Sequence, residues 1–211
     1  MGLIHIDVFS TLDGVAQAPG GPDEDPEGGF EFGGWQAPLL DEVAGRAVGE
    51  GMKEMDALLL GRKTYDIFAN YWPHQEAGDD AEIATLFNGI PKYVASRSRP
   101  TLEWAHSTLL GPDLAADVRA LRDRHEHTHV IGSLDFAQTL LKERLFDELT
   151  LWIHPVLLGP GKKIFADGVV PANLRLIEPA VTSPKGTVVL RYALAEGIPA
   201  TGDMSQPDRG V

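Results

Sequence analysis

The segment Leu3-Ile4-His5-Ile6-Asp7-Val8-Phe9 alternates apolar and polar side chains, the period-two pattern of a strand. Ala57-Leu58-Leu59-Leu60 is apolar throughout, as expected of a strand covered on both faces. Between them a loop rich in Gly, Pro and acidic residues runs from Ser10 to Gly34. Leu39 to Met55 then reads as a helix, because Leu40, Val43, Ala44, Ala47 and Val48 recur at helical spacing. Gly61 to Thr64 opens a second helix, Asn70 to Gly78 is a loop, and Asp80 to Asn88 is a short helix. Lys92-Tyr93-Val94-Ala95 is a strand, followed by the basic turn Ser96-Arg97-Ser98-Arg99-Pro100. A short strand is expected within Glu103 to Thr108, and a helix from Pro112 to His125. His129-Val130-Ile131 is a strand that passes through Gly132-Ser133 into a helix from Leu134 to Arg144.

The pattern then changes. Glu148 to Pro155 is a strand, and Leu174 to Thr182 and Thr187 to Ala195 flank Ser183-Pro184-Lys185-Gly186, a hairpin signal. Alternating strands and helices followed by an antiparallel ending predict an α/β chain with a mixed, mostly parallel sheet and helices on both faces. One domain is expected over residues 1–196. Gly197 to Val211 reads as a flexible tail.

Three strand ends share one chemistry. Gly61-Arg62-Lys63-Thr64 offers helix N-terminal amides and two cations, Ser96 to Arg99 offers hydroxyls and two arginines, and Gly132-Ser133 opens another helix. In a parallel sheet such turns lie on one edge, and free amides at helix N-termini attract anions. A dinucleotide with a pyrophosphate and a further phosphate suits them.

Composition narrows the field. The 211 residues carry 18 basic and 31 acidic side chains, a formal net charge of -13, which disfavours nucleic acid and acidic membrane surfaces as partners. The chain has no cysteine, so thiol nucleophiles, disulfides and Cys-ligated zinc are excluded. No apolar run approaches membrane-spanning length, and Leu3 to Phe9 is too short and polar for a signal peptide, so a cytoplasmic protein is expected.

Ordered blocks from about Leu3 to Ala195 carry a resemblance. They are Ser10-Thr11-Leu12-Asp13-Gly14-Val15, Asp56 to Tyr65, Lys92 to Arg97, Val130-Ile131-Gly132-Ser133, Asp147-Glu148-Leu149, and His154 to Phe165 with its Leu158-Gly159-Pro160-Gly161-Lys162-Lys163 core. In order and spacing the chain resembles the dihydrofolate-reductase-like superfamily, most closely its riboflavin-biosynthesis reductase branch, typified by the RibD C-terminal domain. The resemblance implies a three-layer fold and an NADPH-dependent reductase that passes hydride to a C=N or C=O group of a pterin- or aminopyrimidine-like heterocycle. A non-catalytic NADPH-binding or regulatory module on the same fold is the alternative. By resemblance, Gly61, Arg62, Lys63 and Thr64 hold the pyrophosphate and adenosine phosphate, and Ser96 and Arg97 flank the 2′-phosphate. Gly132, Ser133 and Leu134 pack on the pyrophosphate and nicotinamide side, and Gly14, Val15 and Ala16 cover the nicotinamide. Asp13 is the acid placed nearest the nicotinamide, and a homodimer is the implied assembly.

Some positions depart from the family pattern. Ser133 replaces the second glycine of a Gly-Gly turn, and Ile131 stands where riboflavin-type reductases commonly carry an acid. Asp41 and Glu42 lie on the helix where folate reductases keep a pterin-binding carboxylate, with neither aligned to it. The acidic stretch Pro22 to Gly29 reads as a lid or a disordered insert. Gly159 to Lys163 is no P-loop, lacking its spacing, and reads as a turn at the cleft rim. His125, His127 and His129 alternate, but no carboxylates of ligand spacing accompany them, so they read as a solvated helix-to-strand junction rather than a metal site. Trp104 and Trp152 read as packing residues. Trp35 and Trp72 fall in expected loops, where packing or the wall of a cleft for a flat ring would each suit them.

Overall fold

The long apolar strand runs force a sheet covered on both faces, and the computed structural model, which describes residues 1–75, 77, 78, 80–165 and 169–205, shows one. Strands β1 (Leu3–Thr11), β2 (Ala57–Gly61), β3 (Lys92–Ala95), β4 (Ser107–Leu109), β5 (His127–Ile131) and β6 (Glu148–His154) are mutually parallel in the order β4-β3-β2-β5-β1-β6. Strand β9 (Val188–Ala195) runs antiparallel to β6, and β7 (Asn173–Leu176) and β8 (Val181–Thr182) share its far edge. The single strand expected over Leu174 to Thr182 is thus two short ones. The Ser183–Gly186 turn closes as expected, with Ser183 N–H donating to the Thr187 carbonyl.

Helices α4 (Leu114–Leu121) and α5 (Leu134–Lys142) bury Val118, Leu121, Phe136, Ala137 and Leu140 against Ile4, Ile6, Val8, Leu59 and Val130 on one sheet face. On the other face, α2 (Arg62–Tyr71) and α3 (Ala81–Gly89) bring Tyr65, Phe68 and Phe87 onto Leu58, Leu60 and Ile131, with Met52 of α1 (Glu42–Met52) joining them. Alternate residues of a strand point to opposite faces, so the consecutive Leu58, Leu59 and Leu60 feed both cores.

Differences from the expected boundaries have local causes. Helix α1 starts three residues late because Asp41 caps it, its carboxylate accepting from Ala44 N–H at 2.9 Å. Leu39 belongs instead to a short 3₁₀ turn, and Leu40 is exposed. Asp113 caps α4 in the same way, which sets its start at Leu114. Helix α2 continues to Tyr71, two residues into the expected Asn70–Gly78 loop, and Trp72–His74 adds a 3₁₀ turn. Of the expected tail, residues 197–205 form no strand or helix, and residues 206–211 lie outside the described residues.

The alternating histidines are not a solvated junction. His129 is 5% exposed, its Nδ1 is 2.6 Å from the Asp7 carboxylate, and its ring stacks on His5 across the β1–β5 register. His5 in turn faces Glu148 at 3.2 Å and His127 at 3.1 Å. Among the described residues no group of three or more His or acidic side chains forms a metal site, and no helix is long and apolar enough to cross a membrane.

Asp147 ties three elements near the start of β1. Its carboxylate accepts from Ile4 N–H and from both Nε and an Nη of Arg122. Lys92 is fully covered, and its ammonium donates to the carbonyls of Asn88 and Ala105 over the Trp104 ring.

Candidate functional site

Strands β1, β2, β3 and β5 all end on one edge, and a cleft of about 2180 Å³ opens there. This is the edge at which open α/β sheets bind ligands. Gly61, Arg62, Lys63 and Thr64 line it from the start of α2, Ser96 to Arg99 from the end of β3, and Gly132, Ser133 and Leu134 from the start of α5. The three turns singled out in the sequence therefore meet in one cleft.

The α2 and α5 turns are clipped together. Ser133 Oγ accepts from Gly61 N–H at 3.0 Å, and Thr64 Oγ1 accepts from Ser133 N–H at 3.1 Å. Gly132 and Ser133 both have positive φ, +61° and +51°. Serine at such a position costs on the order of 1 kcal/mol, and the hydrogen bond from Gly61 offsets it. Ser133 thus fastens the α5 turn to the α2 turn.

Neither α2 nor α5 has a side-chain cap at its N-terminus, whereas α1 and α4 each have an Asp. Their first-turn amides are left to an outside acceptor. Among the described residues the arginines with an ion-pair partner are Arg46, Arg62, Arg122 and Arg191. Arg97 and Arg99 are exposed on the cleft wall and unpaired. Arg62 differs: its Nε sits 2.7 Å from Asp66 one helical turn on.

The loop after β1 is built differently from expectation. Ala16 lines the cleft, but Asp13, Gly14 and Val15 lie outside its lining. Asp13 accepts from Thr11 Oγ1 at 2.5 Å and from the N–H groups of Leu158 and Gly159. The Thr11 hydroxyl, with those two amides, holds its carboxyl below the usual range. With three donors the Asp13 carboxylate clasps two loops, and it lies outside the cleft lining. Val15 is fully buried, bridges Lys163 and packs close to Gly161. Gly161 has φ +126°, and a Cβ there would fall 2.7 Å from Val15 and 2.9 Å from Phe30, so only glycine fits.

The Gly159–Lys163 turn reaches the cleft through Lys162, whose pairing with Asp25 at 2.8 Å and Glu27 at 2.5 Å the sequence did not show. Lys63 meets the same two carboxylates, with Asp25 at 2.6 Å. The acidic stretch is thereby fixed over the cleft: Gln17 Nε2 donates to the carbonyls of Asp25 and Glu27, and Gln17 Oε1 accepts from Lys162 N–H. It is no disordered insert. Glu24, also on the cleft wall, has its carboxyl raised by burial, against the pull of the Gly20 and Gly21 amides.

Part of the remaining wall is apolar. Val8 and Phe9 of β1 and Gly45, Val48 and Met52 of α1 line it. Asp41 is spent as a cap that also binds Lys185 N–H, and Glu42 pairs with Arg46 on the exposed side of α1. Neither carboxylate reaches the cleft lining. Trp72 lines the cleft, while Trp35 is buried, its indole N–H donating to the Gln17 carbonyl.

A mixed sheet of this order with a polar, helix-flanked cleft at the parallel edge defines a dihydrofolate-reductase-like protein. The profile of the family described as RibD C-terminal domain matches residues 3–188, and the chain belongs to that family. A Bacillus subtilis (strain 168) protein described as uncharacterized protein YyaP is 27% identical over 195 residues, covering 90% of this chain and 93% of that protein. Among solved structures, the fold matches a putative riboflavin biosynthesis protein from Shewanella sp. PV-4 with a TM-score of 0.65 at 18% identity, over 92% of this chain and 99% of that one. It also matches dihydrofolate reductase from Enterococcus faecalis, solved with NADP(H), with a TM-score of 0.56 at 13% identity, over 92% and 98% of the two chains.

Proposed function

We propose that the protein is an NADPH-dependent reductase acting on a C=N or C=O group of a small, flat heterocycle. The observation that carries this reading is the convergence on one cleft of two uncapped helix N-termini and two arginines with no ion-pair partner among the described residues. That donor set fits a dinucleotide phosphate. The first-turn amides of Arg62, Lys63 and Thr64 on α2 and of Leu134 on α5 would hold its pyrophosphate, and Ser96, Arg97 and Arg99 its 2′-phosphate. NADPH, when bound, supplies the hydride.

The chain's own residues supply orientation and dryness. Val8, Phe9, Val48 and Met52 hold the substrate ring by apolar contact and exclude water. Glu24 keeps its proton to a higher pH than the ion-paired carboxylates beside it, because burial raises it, and it is the donor in this reading. Asp41 and Glu42 lie outside the lining, which removes the folate-type anchor and favours an aminopyrimidine-like ring over a pterin. The partner is a small molecule, with no role for nucleic acid, and the resemblance points to a homodimer.

One observation favours a second reading. Asp13 is engaged as a clasp between two loops, and no carboxylate of α1 reaches the cleft lining. A cofactor-binding module without turnover follows from that. Steady NADPH oxidation on addition of aminopyrimidine, pteridine and cyclic imine substrates separates the two. Oxidation with at least one of them supports the reductase. NADPH binding with no oxidation by any of them supports the module.

A further inference from the structure

Lys63 stands in the first turn of α2, where the proposed pyrophosphate seat begins, yet its ammonium is already occupied by carboxylates from a distant loop. Lys63 and Lys162 each touch both Asp25 and Glu27, so two cations and two anions form a closed, neutral square on the cleft wall. Gln17 presents the two acids by holding both their carbonyls.

We propose that the Asp25–Glu27 segment is a built-in competitor for the cofactor's phosphates, with Glu27 yielding Lys63 when a pyrophosphate arrives. The anion's identity as NADPH rests on the function proposed above, but the exchange itself needs only a pyrophosphate group. The two acids differ in the way the exchange requires. The Asp25 side chain is 11% exposed and keeps Lys162 at 2.8 Å, so it is the anchor. The Glu27 side chain is 62% exposed and reaches Lys63 from the solvent side, so it is free to leave. After exchange, Asp25 still holds Lys63 at 2.6 Å and Lys162 at 2.8 Å, and Lys63 meets a dianion in place of the Glu27 carboxylate. Lys162 and Lys63 hold the Glu27 carboxyl below its usual range, so the competitor is charged at neutral pH.

The consequence is that part of the cofactor's binding energy is used to displace Glu27, and the strap over the cleft loosens as the cofactor enters. Removing the charge removes the competitor. Glu27→Gln is expected to bind inorganic pyrophosphate and NADPH about three- to tenfold more tightly than wild type, the scale of one partly exposed ion pair. Unchanged or weaker binding of pyrophosphate by a folded Glu27→Gln overturns the proposal, and makes the square a fixed clasp.

Hydrogen exchange on the wild-type chain gives a second readout that needs no variant. Pyrophosphate is expected to speed exchange of the Glu27–Gly29 amides, and slower or unchanged exchange overturns the proposal. Pyrophosphate binding tightened by Glu27→Gln, with no NADPH binding to either protein, would sink the NADPH reading and leave this exchange standing. NADPH binding that Glu27→Gln leaves unchanged would do the reverse.

Discussion

Arg97→Ala is expected to weaken NADPH binding about 10- to 100-fold while leaving NADH within about twofold, because one or two charge-assisted hydrogen bonds to a phosphate are worth roughly 1.5–3 kcal/mol. The specificity of the effect follows from position. Arg97 is exposed on the cleft wall, after β3, and among the described residues it has no carboxylate partner to leave behind. Its loss removes an attraction for the 2′-phosphate and disturbs nothing else. Arg62 predicts a smaller effect, since Asp66 already neutralises it at 2.7 Å. Parallel titrations with the two cofactors check this. Equal losses for NADPH and NADH would contradict the 2′-phosphate assignment.

Lys92 carries the second large effect, on stability. Burial pushes its ammonium down to about 8 from an ordinary 10.5, and its partners are two carbonyls and an indole rather than a carboxylate. Below pH 8 both folded and unfolded chains are protonated here, and the fold bears the whole cost of burying the charge. Between 8 and 10.5 the unfolded chain binds more protons than the folded one, so stability rises with pH. The full difference is on the order of 3 kcal/mol. Two groups act the other way at the alkaline end. Tyr71 is pushed up to about 12 by its bond to Asp80, and burial opposed by Asp25 and Glu27 leaves the Lys63 ammonium well above its usual range. Each keeps a proton that the unfolded chain has lost, so the rise stops near pH 10. Denaturant unfolding between pH 7 and 10 is expected to show the midpoint climbing in wild type, with the climb absent in Lys92→Met. A wild-type midpoint that is flat or falling from pH 8 to 10 would contradict the buried charge.

Much of this fold was legible because its strands are doubly covered and their apolar runs are uninterrupted. Ala57 to Leu60 and the three turns at strand ends needed only local pattern and the parallel-sheet rule to be placed on one edge. What the sequence hid was pairing at long range. His129 looked solvated because its partners Asp7 and His5 lie on β1, and only the β1–β5 register brings them together. The pairing of Lys162 and Lys63 with Asp25 and Glu27 was hidden because the acids are far from them in sequence. Asp13 looked like an acid near the nicotinamide, and its capture by Leu158 and Gly159 depended on how two distant loops meet. The acidic loop itself gave one usable sign: a run of Asp and Glu in a chain that also places Lys in two Gly-rich turns.

Calorimetric titration of the purified protein with NADPH and NADH tests most directly whether the cleft is a seat for NADPH. Saturable binding of NADPH, at least tenfold tighter than NADH, is the predicted result, a gap of about 1.4 kcal/mol supplied by Arg97 and Arg99. No heat of binding from either cofactor at millimolar concentration would contradict it, and the two uncapped helix N-termini would then need another anion.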